Sequence, residues 1–594
     1  MSDGRFALFD CDGGHAILLS QYRRTVSFDG DAARGPDLAS LFAVLEAAAD
    51  QGEWIALAAD YALGECFEPS VPLSQTCRPM LRAWVFGQAR RLDPGALEAF
   101  ISERLAEIPE HDRVAGVANL SAGLDAAAHE SRVEQIRRWI AAGDCYQINL
   151  TFPLAFRLYG HPWALYARLR ARQTVRHGAY IVTPEETLLS FSPELFFERV
   201  GSRVVTRPMK GTAERGISPG EDAALRASLL ASEKERAENI MIVDLLRNDL
   251  GKLAQPGKVQ VESLCDVEAY PTLWQLVSTV SADLPGVKLF DLFRALFPCG
   301  SITGAPKIRA MQRIAQLEVA PRGLYTGALG WLSPGGDCRF NVAIRTLEVA
   351  PDGQGTLGVG SGIVIDSSPA SEYAECLLKS RFLTRFDPGF GLIETLCLER
   401  GVLQRLELHL ERLQASAQVL GFACDIAAIS AGLAEQASMH STGPRRIRLT
   451  LAHDGRFQIS QAVLEDCALP ALAVLAEERV DPGNYLLGHK TSARRMYDRA
   501  LARLAGCPDF FDAVFLNTRG EVCEGARSNV FIERDGVWLT PPTSSGLLPG
   551  VMRRQLLESG RAIEAVLFKE DLLGAPAIYL TNSLRGVIPV RLQA

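Results

Sequence analysis

One lysine, Lys210, stands in a stretch that could aim it into a cavity. It follows an Arg-Pro-Met segment and precedes Gly211 within residues 207–216. Proline restricts the backbone on one side, and the missing side chain of glycine lets a ligand approach on the other. A lysine amine partly removed from water loses its proton more easily and becomes a nucleophile. These ten residues fit a charged surface turn equally well, so the rest of the chain has to decide.

Two more polar residues of the first half stand in apolar surroundings. Glu194 follows a proline in the strand-like residues 187–198. Burial there would raise the pKa of its carboxyl and suit it to donate a proton. The alternative is an acid at a strand edge that faces water. Gln147 lies in residues 145–151, which alternate like a strand after a helix predicted over residues 131–142.

Carboxylates are grouped on two predicted helices. Residues 231–250 favour one helix that carries three glutamates in its first half, Glu238 among them. Glu372 and Glu375 lie three residues apart, hence on one helix face. Neighbouring carboxylates repel each other unless they are protonated or bridged by a hard cation such as Mg²⁺. A solvated helix face is the alternative for such a pair taken alone.

Two stretches could bind an anion. Residues 297–307 form a Gly/Ser/Thr-rich loop that contains Thr303 and opens a helix, where backbone N–H groups favour negative charge. The loop lacks the spacing of a nucleotide-binding P-loop, so phosphate is not the automatic ligand. Arg345 lies in the alternating residues 341–346 and could pair with a carboxylate through two hydrogen bonds.

The composition is that of an ordinary folded protein and excludes several classes of function. A length of 594 residues with 47% apolar and 22% charged residues predicts at least two domains with sizeable cores. The net charge of -8 gives no general attraction to nucleic acid or to acidic membranes. Neither a bilayer-spanning apolar run nor a Cys/His cluster with zinc spacing occurs. The thirteen cysteines are scattered and no secretory signal precedes them, which predicts a cytoplasmic protein with reduced thiols.

The order of predicted elements suggests where the chain divides. The first hundred or so residues alternate short apolar runs with Gly/Asp turns around a helix at residues 38–49, which is typical of a sheet with helices packed on it. The pattern restarts near residue 384. We therefore predict an N-terminal part over residues 1–120, a catalytic domain over residues 121–383 and a further domain over residues 384–594.

The motifs of the first half form an ordered set. Tyr-Gln at Gln147, Ser-Pro-Glu at Glu194, the lysine stretch, and residues 244–251, 300–307 and 366–375 together resemble the chorismate-utilising family of anthranilate synthase large subunits and their relatives. The resemblance covers residues 120–383, roughly. Its Pro-Met-Lys-Gly-Thr is similar to aminodeoxychorismate synthases, whose lysine attacks the chorismate ring, whereas anthranilate synthases carry a small residue there. Isochorismate and salicylate synthases have a lysine at the position of Gln147, so this glutamine favours ammonia as the incoming group.

The resemblance also implies roles for individual residues. Glu238 and Glu375 would bind Mg²⁺, with Glu372 close by, and the metal would hold the ring carboxylate. Glu194 would protonate the departing C4 hydroxyl as Lys210 adds at C2, and ammonia would then enter at C4 and expel the lysine. The implied substrate-binding residues are Arg345, Tyr325, Gly360, Gly362, Thr303 and Gln147.

One position departs from the family pattern. Gln275 stands where many relatives have a histidine before Leu-Val-Ser. Glutamine does not titrate as histidine does, so we expect a hydrogen-bonding role there rather than proton transfer.

A second ordered set spans residues 389–594 and resembles the fold-type IV PLP enzymes: branched-chain and D-amino acid aminotransferases and aminodeoxychorismate lyase. By that resemblance Lys490 would form the Schiff base with pyridoxal 5'-phosphate, and Glu524 would pair with the pyridinium nitrogen and keep the ring an electron sink. The implied phosphate ligands are Arg412, the amides of Gly550 and Val551, and Asn582 with Ser583. The resemblance does not separate transaminase from lyase.

Together the two resemblances predict an α+β protein. A two-layered β-sandwich with helices, of the chorismate-binding fold, would be followed by a two-subdomain α/β domain of fold-type IV. The predicted function is two-step synthesis of 4-aminobenzoate from chorismate and ammonia. Three alternatives stay open: a second half that is a branched-chain or D-amino acid aminotransferase, a first half that is an anthranilate synthase, and a non-catalytic assembly subunit.

The ammonia needs a source and the chain suggests a partner. None of the cysteines lies in a G-x-C-x-G setting, so we expect a separate glutamine amidotransferase subunit. Fold-type IV relatives are commonly dimers, which makes a homodimer through the PLP domain an expectation by analogy.

Overall fold

The computed structural model describes residues 4–593, apart from residues 31–35, 75, 77, 174–175, 271–272, 319, 440–442 and 508. Two compact units make up the chain. The first consists of Met1–Glu107, Leu120–Leu158 and Tyr166–Thr384, and the second of Ile108–Asn119, Tyr159–Leu165 and Arg385–Ala594. No helix of the described residues is long and apolar enough to cross a membrane.

The elements before residue 385 are strands with helices between them. The strands are Phe6–Asp10, Ala16–Phe28, Trp54–Ala59, Leu81–Leu92, Gly116–Ala122, Gln147–Tyr159, Ala179–Val182, Thr187–Ser190, Leu195–Val200, Arg203–Arg207, Met209–Glu214, Val259–Ala269, Leu273–Asp283, Gly304–Ala305, Ala328–Leu332, Cys338–Val342, Thr346–Val349 and Gln354–Ile363. The helices are Pro36–Asp50, Leu63–Phe67, Pro94–Glu107, Ala126–Ala141, Pro162–Arg172, Pro219–Ala231, Glu233–Gly251, Leu289–Leu296, Lys307–Leu317, Pro369–Lys379 and Arg381–Thr384, with short 3₁₀ turns at Asp12–Gly14, Glu110–Arg113 and Gly300–Ile302.

Antiparallel pairing brings distant motifs of the first unit together. The strand Gln147–Tyr159 pairs with Gln354–Ile363 along its length, so that Gly362 lies opposite Asn149. The same strand pairs at its start with Gly304–Ala305. The register is specified because one face of these strands is buried in the core. The glutamine motif, the Gly/Ser/Thr loop and the glycine-rich strand therefore meet in one place.

Aromatic side chains fill much of the core of the first unit. Phe42, Phe197, Phe293 and Phe340 are fully buried and belong to one cluster. Their rings meet edge-on or tilted, with Phe293 and Phe340 5.1 Å apart. Large buried rings of this kind contribute most of the apolar area that stabilises a core.

The elements after residue 385 form two sheets. The strands are Leu392–Glu399, Val402–Leu403, Arg445–Leu451, Phe457–Val463, Ala471–Val480, Phe510–Asn517, Val522–Gly525, Asn529–Arg534, Val537–Thr540, Ala562–Glu564, Ala577–Asn582 and Gly586–Gln593. The helices are Leu406–Leu420, Ile426–Ser438, Arg495–Leu504, Val551–Glu558 and Lys569–Gly574, with 3₁₀ turns at Tyr485–Gly488 and Thr543–Ser545. Within the described residues the first four strands make an antiparallel sheet and the others a mixed one.

Several predicted elements differ from the observed ones near functional residues. Residues 187–198, predicted as one strand, are two strands, and Glu194 lies in the extended connection between them. Residues 341–346 were expected to form one strand, but Cys338–Val342 ends before Arg345, whose φ is 49°. Both departures take the functional side chain out of a regular ladder, where its direction is no longer fixed by strand alternation.

Candidate active sites

The lysine stretch is a strand rather than the surface turn that was its alternative. Lys210 lies on Met209–Glu214, which pairs with Leu273–Asp283. Its side chain is half-buried, and its amine makes no hydrogen bond or ion pair with the described residues. A lysine held in a sheet without a partner is available to a substrate.

Gln275 supports the lysine strand from the neighbouring strand. Its Nε2 donates a hydrogen bond of 2.8 Å to the carbonyl of Gly211, and its Oε1 accepts one of 3.0 Å from Thr212. Gly211 has a φ of 83°, and a Cβ there would meet Oε2 of Glu235 at 3.0 Å. Glycine is therefore needed at this position for the backbone and for the approach of the glutamate.

Glu194 has the burial and the hydrogen bonding that suit a proton donor. Its side chain is buried, and Oε1 accepts a hydrogen bond of 2.8 Å from Ser301, on the 3₁₀ turn Gly300–Ile302. Burial raises the pKa of this carboxyl, while Ser301 and the ammonium of Lys210 act in the opposite direction. Because the charge of Lys210 is felt at Glu194, the two groups share one neighbourhood.

Two of the glutamates expected to bind metal, Glu238 and Glu375, lie near Glu235. The pKa of Glu235 is raised by burial and by the nearby charges of Glu238 and Glu375, while Lys210 lowers it. Two helices thus bring carboxylates to the side of the lysine strand. Hard oxygen donors that repel one another fit Mg²⁺ by their chemistry.

The arrangement is nevertheless open. Among the described residues no group of three or more His, Cys, Asp or Glu side chains is close enough to enclose a metal ion. Glu375 pairs with Lys379 at 2.8 Å, and Glu372 accepts a hydrogen bond of 2.7 Å from Ser367. Binding a cation would have to draw Glu375 away from its lysine.

Arg345 is a half-buried cation with no acidic partner. Its guanidinium makes no ion pair with the described residues, and burial lowers its pKa. A desolvated guanidinium is costly unless an anion compensates it. The side chain is therefore suited to receive a carboxylate from a ligand.

Three further predicted substrate residues, Gln147, Gly360 and Gly362, lie on the paired strands Gln147–Tyr159 and Gln354–Ile363. Gln147 is buried, and a Cβ at Gly362 would meet its Nε2 at 2.3 Å. The carbonyl of Gly360 accepts a hydrogen bond of 2.8 Å from Lys379.

Two further predicted residues are buried in the same unit. The ring of Tyr325 occupies the space left by Gly358, where a Cβ would lie 2.0 Å from it. The hydroxyl of Thr303 donates a hydrogen bond of 2.8 Å to the carbonyl of Cys299, so it shapes the loop.

The second unit places another lysine beside acidic and basic groups. Lys490 follows the turn Tyr485–Gly488, and its carbonyl accepts a hydrogen bond from the amide of Ile393. Burial lowers the pKa of its amine to about 8, with smaller effects from Arg412 and Glu394. The amine makes no hydrogen bond or ion pair with any residue that the structure describes.

Glu524 is fixed by two donors. Tyr497 donates a hydrogen bond of 2.7 Å to Oε1, and the amide of Leu548 donates one of 3.0 Å to Oε2. Burial raises the pKa of this carboxyl to about 7, and the charge of Lys490 acts against it. A buried carboxylate beside an unpartnered lysine fits the two groups that hold a pyridoxal ring.

The expected phosphate ligands converge on one end of this site. Nη1 of Arg412 lies 3.4 Å from the carbonyl of Pro549, directly before the helix Val551–Glu558 that Gly550 precedes. Nη1 of Arg405 lies 3.4 Å from the carbonyl of Ser583. A guanidinium and a helix start therefore lie together, and the hydroxyl of Ser583 is connected to Arg412 through His409 and Glu394. An anionic group requires such a set of groups.

The side chain of Asn582 is engaged in two hydrogen bonds to backbone groups. Its Oδ1 accepts a hydrogen bond of 2.9 Å from the amide of Arg585, and its Nδ2 lies 3.3 Å from the carbonyl of Arg527. Within this site the side chain stabilises the turn that carries Ser583.

Four residues near the two sites were not singled out from sequence: Glu235, Glu394, His409 and Tyr497. Glu394 binds Arg412 through two hydrogen bonds of 2.8 and 2.6 Å. The sequence contains a signal for two of these residues. Glu235 and Glu238 repeat the Glu-x-x-Glu spacing, and His409 precedes Arg412 by one helical turn. Nothing local in the sequence identifies Glu394 or Tyr497.

These features define two candidate active sites, one in each unit. Residues 74–385, more than half of the chain, match the family described as chorismate binding enzyme, so the chain belongs to that family. Residues 391–592 match the family described as amino-transferase class IV, which implies pyridoxal phosphate as the cofactor of the second unit. The predicted fusion and fold class are confirmed.

Two curated proteins and one solved structure are similar to part of the chain. Aminodeoxychorismate synthase component 1 of Bacillus subtilis (strain 168) is 42% identical over 254 residues, 43% of this chain and 54% of that protein. Anthranilate synthase component 1 of Streptomyces coelicolor is 43% identical over 285 residues, 48% of this chain and 55% of that protein. The crystal structure of anthranilate synthase component I from Streptococcus pneumoniae TIGR4 superposes with a TM-score of 0.53 at 26% identity, covering 62% of this chain and 92% of that one. The chain spans about half the length of the curated relatives that it matches.

Proposed function

We propose that the chain makes 4-aminobenzoate in two steps, amination of chorismate by the first unit and elimination of pyruvate by the second. The observation that carries the proposal is that each matched region contains a half-buried lysine, Lys210 in the first and Lys490 in the second, whose amine has no partner among the described residues. Residues 121–383 would carry the first reaction and residues 384–594 the second.

In the first step Arg345 would bind the enolpyruvyl carboxylate, with Tyr325, Gly360, Gly362 and Thr303 around it. The amine of Lys210 attacks C2 of the ring, both ring double bonds shift by one position, and the bond from C4 to its hydroxyl breaks. Glu194 gives its proton to the departing oxygen, which leaves as water. A carboxyl whose pKa is raised by burial keeps its proton to higher pH than an exposed glutamate does.

Ammonia then bonds to C4 as the bond between C2 and Lys210 breaks, which frees the lysine for another cycle. Gln147 would orient the incoming nitrogen by hydrogen bonding. Glu235, Glu238 and Glu375, with Glu372 nearby, would hold a Mg²⁺ ion, which would supply positive charge for the ring carboxylate.

In the second step the cofactor supplies an electron sink when it is bound. Glu524 would hold its ring nitrogen, and Arg412, Ser583 and the amides of Gly550 and Val551 would hold its phosphate, with Asn582 shaping the turn. Lys490, with a pKa of about 8, removes the proton at C4 of the substrate ring and returns one as pyruvate leaves. Formation of the aromatic ring drives the release.

The ammonia, the partner and the compartment belong to the proposal as well. A separate glutaminase subunit would supply ammonia, because the relatives from Bacillus subtilis (strain 168) and Klebsiella aerogenes are each named aminodeoxychorismate synthase component 1. The reaction would take place in the cytoplasm, where the free thiols of the described cysteines are stable. A homodimer through the second unit remains an expectation by analogy.

One alternative rests on a specific observation. The relative from Streptomyces coelicolor is named anthranilate synthase component 1 and is 43% identical over its match. An anthranilate synthase would add ammonia at C2 and needs no lysine nucleophile there, so Lys210 favours amination at C4.

Product analysis tests the proposal. Purified protein with chorismate, ammonium, Mg²⁺ and pyridoxal phosphate should yield 4-aminobenzoate and pyruvate in equal amounts. Glutamine in place of ammonium should yield neither product. Anthranilate as the main product would refute the first step, and accumulation of aminodeoxychorismate alone would refute the second.

A further inference from the structure

A chain of three buried polar side chains leads to the phosphate end of the second site. His409, on the helix Leu406–Leu420, is fully buried. Its Nδ1 lies 2.5 Å from Oε2 of Glu394, and its Nε2 lies 2.7 Å from the hydroxyl oxygen of Ser583. The order Glu394, His409, Ser583 links a carboxylate to a hydroxyl through both nitrogens of one imidazole.

The identity of each donor follows from the carboxylate. Burial alone would raise the pKa of Glu394, but Arg412 and His409 lower it to about 2, so Glu394 is ionised and accepts. Nδ1 of His409 must then carry a hydrogen. If the imidazole is neutral, its Nε2 is an acceptor, and the single hydrogen of the Ser583 hydroxyl points to it.

That arrangement does not suit a phosphate. Phosphate oxygens accept hydrogen bonds, and a Ser583 hydroxyl that has given its hydrogen to His409 has only lone pairs left for them. If His409 is doubly protonated, Nε2 donates to Ser583, and the hydroxyl hydrogen is free to bind a phosphate oxygen. The direction of one hydrogen bond therefore decides whether Ser583 attracts or repels the anion.

We propose that His409 positions the hydroxyl of Ser583 for the phosphate of the cofactor, and that binding of this phosphate brings one proton on to His409. The inference rests on the cofactor site described above but not on the lyase reaction. His409 is a positioning residue, because it acts on the phosphate through Ser583.

The charges around His409 explain why the proton arrives with the ligand. Arg412 on the same helix, Lys490 on the loop after the turn Tyr485–Gly488 and Arg405 beside the Ser583 carbonyl are basic, and Glu394 is the acidic group that contacts His409. Burial lowers the pKa of His409, Glu394 opposes this effect, and Arg412 and Lys490 add to it. A phosphate dianion reverses the balance, because opposite charge nearby favours the protonated imidazole.

Pyridoxamine 5'-phosphate is a suitable probe because it carries the phosphate but has no aldehyde for Lys490 to react with. Its affinity for cofactor-free protein would be measured by calorimetry between pH 6.5 and 8.5, roughly the range over which a histidine titrates, in phosphate-free buffers of different ionisation enthalpy. On binding, the native protein should take up about one proton more than Ser583→Ala, because Glu524 and Lys490 titrate alike in both proteins. At the upper end of this range its affinity should fall by about tenfold per pH unit relative to that variant. Ser583→Thr keeps the hydroxyl and should behave like the native protein.

Two further measurements separate the effect of His409 from other effects of pH. Pyridoxamine, which lacks the phosphate, should exchange the same number of protons on binding to native protein and to Ser583→Ala, because Glu524 and Lys490 are the same in both. His409→Gln offers Ser583 a permanent amide N–H, so its affinity for the phosphorylated probe should not change with pH beyond the change seen for Ser583→Ala. Equal proton uptake by native protein and Ser583→Ala on binding pyridoxamine 5'-phosphate would overturn the proposal. Native protein that does not bind the probe at all would refute the cofactor site itself.

Discussion

The hydroxyl of Ser301 donates a hydrogen bond of 2.8 Å to Oε1 of Glu194. Ser301 is itself buried and also lies 3.2 Å from the sulfur of Cys299. The Gly/Ser/Thr loop of the first unit therefore orients the acid rather than a phosphate.

Replacing Ser301 with alanine should change how the first step depends on pH. The hydrogen bond lowers the pKa of Glu194, so its loss should raise that pKa further. The acid acts in its protonated form, and activity is lost as the pH rises through its pKa, so the alkaline limb of the rate profile should move to higher pH. The amination rate at its optimum should fall about three- to tenfold, the value of one hydrogen bond to a carboxylate.

Ser301→Thr keeps the hydroxyl and serves as the control for this prediction. Rates of aminodeoxychorismate formation would be compared for the three proteins across the alkaline limb of the native pH profile. An alkaline limb that stays in place or moves to lower pH in Ser301→Ala would show that Glu194 is not the acid.

Arg345→Met should weaken chorismate binding without lowering the stability of the first unit. The guanidinium has no ion-pair partner among the described residues, so its removal takes away a poorly compensated charge and should not lower the melting temperature of the first unit. Affinity for chorismate should fall by about 100-fold, the value of a charge-assisted pair with a carboxylate. Calorimetric titration with chorismate and thermal unfolding would measure the two effects. A less stable variant that binds chorismate normally would assign Arg345 a structural role.

Glu235→Gln tests the carboxylate cluster. Because neighbouring carboxylates and burial raise the pKa of Glu235, the ionised form that binds a cation is lost as the pH falls through that pKa. Affinity for Mg²⁺ should therefore weaken toward low pH in the native protein, and this dependence should be smaller in Glu235→Gln, with weaker binding throughout. Glu233→Gln, at an exposed position of the same helix, is the matched control. Equal Mg²⁺ binding by both variants would remove Glu235 from the site.

Part of the candidate sites was predictable from short motifs. Lys210 and Glu194 stand out by their proline and glycine neighbours and their apolar surroundings, whereas Lys490 and Glu524 were predicted from the resemblance of residues 389–594 to fold-type IV enzymes. The sheet with helices at the start of the chain followed from alternation and glycine turns in the same way.

The rest depends on contacts between distant parts of the chain. Glu394 lies in an apolar strand, and its function is visible only when a helix places His409 and Arg412 against it. Tyr497 is one polar residue on an amphipathic helix until the fold brings it to Glu524. The positive φ of Arg345 is likewise imposed by tertiary structure, because nothing in its neighbours requires it.

Lys490→Met should stabilise the cofactor-free second unit. The folded-state pKa of Lys490, about 8, is below its ordinary value of 10.5. The unfolded chain therefore binds more protons between these pH values, and the stability of the native protein rises with pH across this interval. The variant should be more stable by about 1–3 kcal/mol below pH 8, with the difference vanishing by about pH 10.5.

Calorimetric unfolding would measure this difference, with the second unit identified by the transition that pyridoxal phosphate shifts. Lys569→Met, at an exposed lysine of the same unit, should leave that transition unchanged. A less stable Lys490→Met protein at pH 7 would mean that the amine is stabilised by a partner.

The central claim is that two lysines perform successive steps, and product analysis of Lys210→Ala and Lys490→Ala tests it most directly. With chorismate, ammonium, Mg²⁺ and pyridoxal phosphate, Lys490→Ala should accumulate aminodeoxychorismate without 4-aminobenzoate. Lys210→Ala should form neither compound but should still convert added aminodeoxychorismate to 4-aminobenzoate and pyruvate. Amination at the native rate by Lys210→Ala would contradict the account.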